Sequence, residues 1–254
     1  MNDRFDISEI ELSDNDLKRG LILPTSPSKE LSEIIGILVG DGFINLYRKY
    51  DYIVEISGDS RLDREYLSVY VTRLIKRLFN ISSSLLERKD QRTMYLRIRS
   101  KGLMLYLHKI GFKKGKKDQI QIPFWILKRG EYFKSFIMGL SDTDFSLVLL
   151  NRKQKNEKYY PRISIRSKSK VLVKEIDKWF LSKGFRTYTQ YDYIQKDNRG
   201  YNDSILHSLH INGRKNLEKW MNLISFRNQR HLSRYGLLMG AGRFELPIVE
   251  DKQS

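Results

Sequence analysis

The sequence contains no cysteine, five prolines and four histidines among its 254 residues. The lack of cysteine excludes disulfides, thiol catalysis and cysteine-ligated zinc. No apolar run reaches the roughly 18 residues that a membrane-spanning helix needs. The first residues, MNDRFDISEIELSDND, are acidic and polar, unlike a signal peptide. We therefore expect no membrane association and no secretion, with the protein in the cytoplasm of a prokaryotic or archaeal cell or in an organelle.

Acidic residues are the minority among the charged ones. The chain has 30 Asp and Glu against 47 Lys and Arg, a formal net charge of +17. Because the N-terminal segment is itself rich in acid, the basic excess lies in the body of the chain, where most of the 15 tyrosines are also found. This balance favours a polyanionic partner, with nucleic acid ahead of a membrane surface.

The chain repeats one order of features. The apolar stretches EIIGILVGDGFINL and SFIMGLSDTDFSLVLL carry the acids Asp41 and Asp144, which are 103 residues apart. Further on, YLRIRSKGLMLYLHKIGF is similar to LHINGRKNLEKWMNLISF, whose closing residues are offset by 114. An offset that grows along the chain is typical of a duplicated unit whose loops have lengthened in the second copy.

Each copy has the pattern of helix, two strands, helix, two strands, helix. This predicts an α+β protein with a duplicated αββαββα repeat and two antiparallel sheets. The tail does not continue the repeat, and our hypothesis is that it is read-through into a neighbouring gene. The predicted divisions are an N-terminal extension (1–30), the first repeat (31–112), a basic linker (113–130), the second repeat (131–238) and the tail (239–254).

Small residues four apart occur in both apolar stretches, as Gly36 and Gly40 in the first and as Gly139 and Thr143 in the second. This spacing predicts two helices that pack closely as a pseudo-twofold pair, with the two acids side by side at their ends. Carboxylates held close together repel each other. A divalent cation such as Mg²⁺ or Mn²⁺ would relieve that repulsion and could activate water for phosphodiester hydrolysis.

The stretches IIGILVGDG and IMGLSDTDF resemble the two motifs of the LAGLIDADG homing endonucleases, in particular the archaeal, single-chain, intron-encoded kind. The resemblance covers residues 31–226, although Phe145 stands where the consensus has glycine. It implies a saddle of two antiparallel sheets around a central two-helix interface, in a monomer that cleaves both strands of DNA at a long pseudo-symmetric site. The implied metal ligands are Asp41, Asp144 and the backbone carbonyls of Gly40 and Thr143.

Many members of this family also keep a lysine near the cleavage site. Aligned just before the last helix of each copy, this position falls on Lys101 and on Arg214 or Lys215. The resemblance therefore implies catalytic roles for Lys101 and Lys215, through stabilisation of phosphate charge or polarisation of water. A further family position, often glutamine, falls on Gly58 and Ser167.

The predicted strands are rich in basic and aromatic residues, and a two-stranded ribbon fits the major groove of DNA. Some of these side chains are expected to contact phosphates only, which makes binding depend steeply on salt. The predicted DNA-binding residues are Arg48, Lys49, Arg88, Arg92, Arg97, Arg99, Lys153, Lys155, Arg162, Arg166, Arg186 and Tyr191.

Two other functions are compatible with the same fold. An RNA maturase that assists the splicing of its own intron would need the basic saddle but not strictly the two acids, and its partner would be intron RNA. A DNA-binding regulator that has lost cleavage commonly loses one acid. The presence of Asp41 and Asp144 favours the endonuclease, whereas we interpret Asp142 as a structural acid that caps or forms an ion pair.

Overall fold

A computed structural model describes residues 4–47, 50–88, 91–112, 117–151, 159–196 and 203–240. The described chain forms two four-stranded sheets. The strands of the first sheet are β1 (Gly42–Tyr47), β2 (Asp51–Asp59), β3 (Ser84–Arg88) and β4 (Thr93–Arg99). Those of the second are β5 (Ser146–Asn151), β6 (Tyr159–Ser167), β7 (Thr187–Gln195) and β8 (Ser204–Asn212).

Both sheets have the same topology. Their strand orders are β1-β2-β4-β3 and β5-β6-β8-β7, and every pairing is antiparallel. The identical order in two successive parts of the chain confirms the predicted α+β fold with a duplicated unit.

The helices follow the predicted order, with three additions: one before the first repeat, one in the linker and one after the last predicted helix. They are α1 (Asp14–Lys18), α2 (Lys29–Asp41), α3 (Thr72–Phe79), α4 (Lys101–Lys109), α5 (Phe124–Leu127), α6 (Gly130–Thr143), α7 (Lys170–Ser182), α8 (Arg214–Leu223) and α9 (Gln229–Met239). A π-helical turn, Tyr66–Val71, leads into α3. The unpredicted helices are α1, α5 and α9. Helices in the described part of the chain fall short of the length and hydropathy required to cross a membrane.

Each sheet has one face against helices and one face turned away from them. In β4, Met94, Leu96 and Ile98 are buried in the core, and the alternate residues point to the opposite side because strand side chains alternate. We call the opposite sides the first and second open faces. The first open face carries the odd-numbered residues of β2 and β4, and the second the even-numbered residues of β6 and β8.

Helices α2 and α6 pack backbone to backbone at the centre of the molecule. A Cβ atom on Gly36 would lie 2.1 Å from the Phe136 carbonyl oxygen, and one on Gly139 would lie 2.1 Å from the Glu33 carbonyl oxygen. The contact is therefore reciprocal and leaves no room for a side chain at either position. This confirms the predicted central two-helix interface.

The N-terminal segment packs against the first half of the chain. The Phe5 ring contacts the rings of Tyr106 and Trp125, with centroid distances of 6.2 and 5.5 Å. The buried Asp16 carboxylate accepts the N–H of Gly102, the second residue of α4, at 3.0 Å. The segment predicted as an extension thus contributes side chains to the core around α4.

Candidate functional site

The two predicted metal-binding acids lie where the C-terminal ends of α2 and α6 meet. Asp41 is the last residue of α2, and Asp144 directly follows α6; both are partly buried. A Cβ atom on Gly40 would lie 2.1 Å from Thr143 Oγ1 and 3.4 Å from the Asp144 backbone nitrogen. The close approach of the helices thus brings together all four predicted ligand residues.

Arg230, on α9, reaches the same helix end. Its Nη2 donates to the carbonyl oxygen of Asp142 at 2.9 Å and to that of Thr143. The carbonyl predicted as a metal ligand in the second half therefore already accepts a hydrogen bond from a guanidinium. A cation is also favoured here because the C-terminal end of a helix carries partial negative charge. Sequence reasoning missed Arg230 because α9 lies outside the repeat pattern.

Asp142 is almost fully buried, at 1% exposure. Its Oδ1 accepts the backbone N–H groups of Arg227 and Asn228, each at 2.9 Å, just before α9 begins. Burial raises the pKa of Asp142 to about 7, against the two N–H groups, which lower it. The predicted structural role of this acid is confirmed: it holds the segment that leads into α9.

The start of α9 also bonds to the first half of the chain. Asn228 Nδ2 donates to Asp63 Oδ1 at 2.7 Å and to the Asp142 carbonyl oxygen at 3.1 Å. Arg230 Nη1 lies 3.3 Å from Asp63 Oδ1. Asp63 follows β2, so these hydrogen bonds connect α9 to the first half of the chain, beside the paired acids. They hold the two halves of the chain in a fixed relative position.

We expect Asp142→Asn to change how stability depends on pH. The raised pKa means that Asp142 contributes stability below its ordinary pKa of 3.8, which is lost as the pH rises towards 7. Burial lowers the pKa of His231 from 6.5 to about 3, so its contribution is lost as the pH falls through that range. The two groups therefore change the free energy of unfolding in opposite directions as the pH rises. Without Asp142, the free energy of unfolding should rise more steeply between about pH 4 and 6.5.

Urea unfolding of wild type and variant at several pH values measures this difference. His231→Gln is the complementary variant, for which the free energy of unfolding should fall with pH over the same range. Curves that run parallel for wild type and Asp142→Asn would contradict the assignment.

The structure does not bring Lys101 to Asp41. Lys101 begins α4 and forms an ion pair with Glu11 at 2.6 Å. The residue before it donates its N–H to the Tyr52 carbonyl at 3.1 Å, whereas the residue after Asp41 pairs with Ile56. Four residues of β2, about 13 Å, separate those two levels of the sheet.

Lys215 has the matching position in the second half, in the first turn of α8. The N–H of Gly213 donates to the Pro161 carbonyl at 2.9 Å, while β5 begins beside Asp144 and pairs with Ser164. Three residues of β6, about 10 Å, lie between the two levels. The catalytic roles of both lysines remain predictions.

Three predicted DNA-binding residues, Arg88, Arg97 and Arg99, belong to the first sheet. Arg97 Nε donates to Glu55, the residue directly opposite it on β2. Arg99 Nε donates to Asp51 Oδ1 at 3.1 Å. Arg97 and Arg99 are therefore already paired with carboxylates of β2, whereas Arg88 lies over the ring of Tyr95.

Arg92 lies in the turn between β3 and β4, 3.7 Å from Asp59. With Arg88 it lines a hollow of about 410 Å³ at the edge of the first sheet. The other lining residues are Ser60, Arg61, Arg64, Glu87 and Gln91. Four arginines against one glutamate make this hollow basic, and it adds Arg61 and Arg64 to the candidate DNA contacts.

On the second sheet, Arg162 and Arg166 lie on the second open face, and the exposed Arg186 directly precedes β7. Arg162 Nε donates to the side-chain oxygen of Asn212 at 2.8 Å. These three predictions thus fall on a surface available to a polyanion. Four other predicted DNA-binding residues lie outside the described residues: Arg48, Lys49, Lys153 and Lys155.

Tyr191 is on the other side of the second sheet. The ammonium groups of Lys170 and Lys174, both on α7, lie 5.9 and 6.0 Å from the centre of its ring. Thr187 and Thr189 of β7 pair with Ile211 and Leu209 of the core. Because strand side chains alternate, Tyr191 lies on the same, helix-facing side of the sheet. The structure therefore places Tyr191 against a helix rather than on the open face.

The donor set at the paired acids suits a hard cation. Mg²⁺ and Mn²⁺ take carboxylate and carbonyl oxygens, and Mg²⁺ keeps several waters and shares substrate phosphates. Among the described residues there is no group of three or more His, Asp or Glu side chains that could hold a metal alone. Asp41 and Asp144 thus fit a cation that completes its coordination with water and a bound phosphodiester.

Comparison with known sequences gives one partial match. No protein-family model matches the chain. The tRNA-splicing ligase RtcB of Pyrococcus abyssi is 27% identical over 130 residues, which are 46% of this chain. The match spans only 14% of the length of that ligase.

The similar solved structures are homing endonucleases. I-DmoI in complex with DNA and Mn is 21% identical, with a TM-score of 0.52, and the match covers 78% of this chain and 96% of I-DmoI. Mesophilic variants of I-DmoI have the same identity and TM-score, with 95% of their chain covered. The LAGLIDADG homing endonuclease I-LtrWI, bound to target DNA, is 10% identical, with a TM-score of 0.53 and coverage of 83% and 89%. The chain therefore has the LAGLIDADG homing endonuclease fold.

Proposed function

We propose that the protein is a site-specific, metal-dependent DNA endonuclease of the intron-encoded homing type, active as a monomer. The observation that carries this proposal is the meeting of Asp41 and Asp144 at the ends of α2 and α6, between two sheets with basic residues on their open faces. One chain supplies both acids, so a second copy is not needed to complete the site.

Different parts of the chain have different roles in the proposed reaction. The open faces bind the duplex, and the α2–α6 pair sets the spacing between the two acids and hence between the two strands that are cut. Asp41 and Asp144, together with the neighbouring backbone carbonyl of Gly40, would hold a divalent cation, Mg²⁺ or Mn²⁺. The cation would activate water and offset charge on the leaving oxygen.

The similar structures support this proposal by what they contain. I-DmoI was solved with DNA and Mn, and its G20S variant with target DNA in the presence of Mg. I-LtrWI was also solved with its target DNA. All three share with this chain the arrangement of two antiparallel sheets around a helix pair.

Removing the metal tests the proposal. The substrate is a duplex that joins the two sequences flanking the intron that carries the coding region, which recreates an allele without the intron. With Mg²⁺ or Mn²⁺ we expect a double-strand cut near the junction. EDTA should abolish the cut, and added Mg²⁺ should restore it, because two carboxylates cannot activate water without the cation. Gel analysis of both product ends measures the result.

Binding is measured on the same duplex as the control. Tight, salt-sensitive binding without a cut in either metal would overturn the endonuclease. The alternative would then be an RNA maturase, whose tight binding to the intron RNA should exceed binding to this duplex.

A further inference from the structure

The two open faces differ in how their arginines are balanced. Strand β2 places three carboxylates on the first open face, and each is paired with an arginine of β4 or of the preceding turn: Glu55 with Arg97, Asp51 with Arg99 and Asp59 with Arg92. Each carboxylate of β2 on this face is therefore matched by an arginine, and Arg88, opposite Thr93 in the sheet, adds one further positive charge.

The second open face is not balanced in this way. Among the described strands of the second sheet, the acidic residue is Asp192, and its carboxylate is bonded to Lys170 of α7, on the helix side. Arg162 and Arg166 lie on the open face. This face attracts phosphates without an opposing carboxylate in its described strands.

The Glu55–Arg97 pair occupies the middle of the first open face. The two residues are direct partners in the register of β2 and β4, the two central strands of the sheet. Glu55 is only 8% exposed, so it is packed among its neighbours. Arg97 donates to Glu55 through Nε, and its two Nη groups do not take part in this hydrogen bond. The pair thus presents a fixed acceptor beside fixed donors.

A carboxylate in a DNA interface mainly lowers the affinity for non-target sequences. It is repelled by phosphates, and it gains a partner only where a base offers an amino group, such as N4 of cytosine or N6 of adenine. A guanidinium donates instead to O6 and N7 of guanine. Where the carboxylate instead faces guanine or thymine, whose major-groove edges present acceptors, it stays desolvated without a base partner, which penalises binding.

We propose that Glu55 and Arg97 form a specificity-determining pair that reads base edges in the first half of the target, whereas the second open face supplies most of the sequence-independent attraction. This inference rests on the proposed function, because it requires a double-stranded DNA target. The two halves of the protein therefore contribute differently: the first discriminates between sequences and the second holds the duplex.

The isosteric variant Glu55→Gln tests the reading role. Its equilibrium binding is measured by fluorescence anisotropy without divalent metal, on the flank-joined duplex and on every single-base variant of it. We expect about tenfold loss of preference at one or two positions of one half-site. Non-target duplexes should be bound several-fold more tightly, with a salt slope steeper by about one, because Arg97 is released to phosphates.

Arg166→Gln tests the attracting role. It should weaken binding to all duplexes by a similar factor and make the salt slope shallower by about one, with base preferences unchanged. Asp51→Asn, at a more exposed pair, should shift binding in the same direction as Glu55→Gln and guards against a folding defect in the latter.

Glu131→Gln is the matched control. Glu131 pairs with Lys29 at 3.3 Å near the N-terminal ends of α6 and α2, away from the paired acids, so its loss should leave binding unchanged. Wild-type base preferences in both Glu55→Gln and Asp51→Asn would overturn the inference while the proposed function stands. No binding of the duplex by the wild type would overturn the proposed function and the inference with it.

Discussion

Gly139→Ala is expected to destabilise the fold severely. The new Cβ atom would lie 2.1 Å from the Glu33 carbonyl oxygen and 3.0 Å from the Ile37 nitrogen, both of them backbone atoms of a buried helix. Neither can move without separating α2 from α6. We expect a loss of more than about 4 kcal/mol in the free energy of unfolding, which is a large part of the stability of a typical domain. Urea unfolding followed by circular dichroism measures this loss.

Gly130→Ala, in the same helix, is the matched control. A Cβ atom there meets nothing within 4 Å, and replacing glycine in a helix stabilises it by up to about 1 kcal/mol. Gly36→Ala should behave like Gly139→Ala because the contact is reciprocal. A Gly139→Ala variant as stable as Gly130→Ala would show that the helices do not pack at this distance.

Asp41→Asn and Asp144→Asn are each expected to lower double-strand cleavage by a factor on the order of a thousand. The amide has nearly the shape of the carboxylate but lacks the charge that holds a divalent cation. Binding to the duplex should be retained or tightened, because a negative charge facing the phosphates is removed. Cleavage in Mg²⁺ and binding without metal are measured on the same preparations.

Asp142→Asn is the control for these variants. It tests whether cleavage is lost because a metal-binding carboxylate is removed or because any acid of the motif is removed. Asp142 lies two residues before Asp144, but its carboxylate is turned towards the backbone of Arg227 and Asn228. At a temperature where it is folded, this variant should cleave at a rate close to that of the wild type. If Asp142→Asn loses as much activity as Asp144→Asn, or if Asp144→Asn still cleaves, the assignment of the paired acids is incorrect.

The helix pair and its acids could be predicted because their signals are local. Gly36 and Gly139 each lie within an apolar run that predicts a helix. An acid at the end of such a run is therefore predicted to lie at the end of that helix. The repeated order of strands and helices also predicted the common topology of the two sheets. In each of these cases, the residues that determine the structure lie in the same short stretch of sequence as the structure itself.

Other features depend on contacts between distant parts of the chain. Arg230 and Asn228 bond to Asp63, more than 160 residues away, and neither belongs to a repeated motif. Tyr191 is predicted to face outward, but only the pairing of Thr187 and Thr189 with core residues of β8 shows which side of β7 faces the helices. Lys101 was placed at the correct helix, but only the register of β2 and β4 shows which end of the sheet that helix start occupies.

The bonds from α9 to both halves also bear on how the protein is made. Asp63, Asp142 and the two sheets leave the ribosome before Asn228 and Arg230 do, since these residues lie near the end of the described chain. During synthesis both halves are therefore complete before the segment that joins them exists. The paired acids acquire their final surroundings only once translation has passed residue 230, so a nascent chain near DNA lacks the finished site.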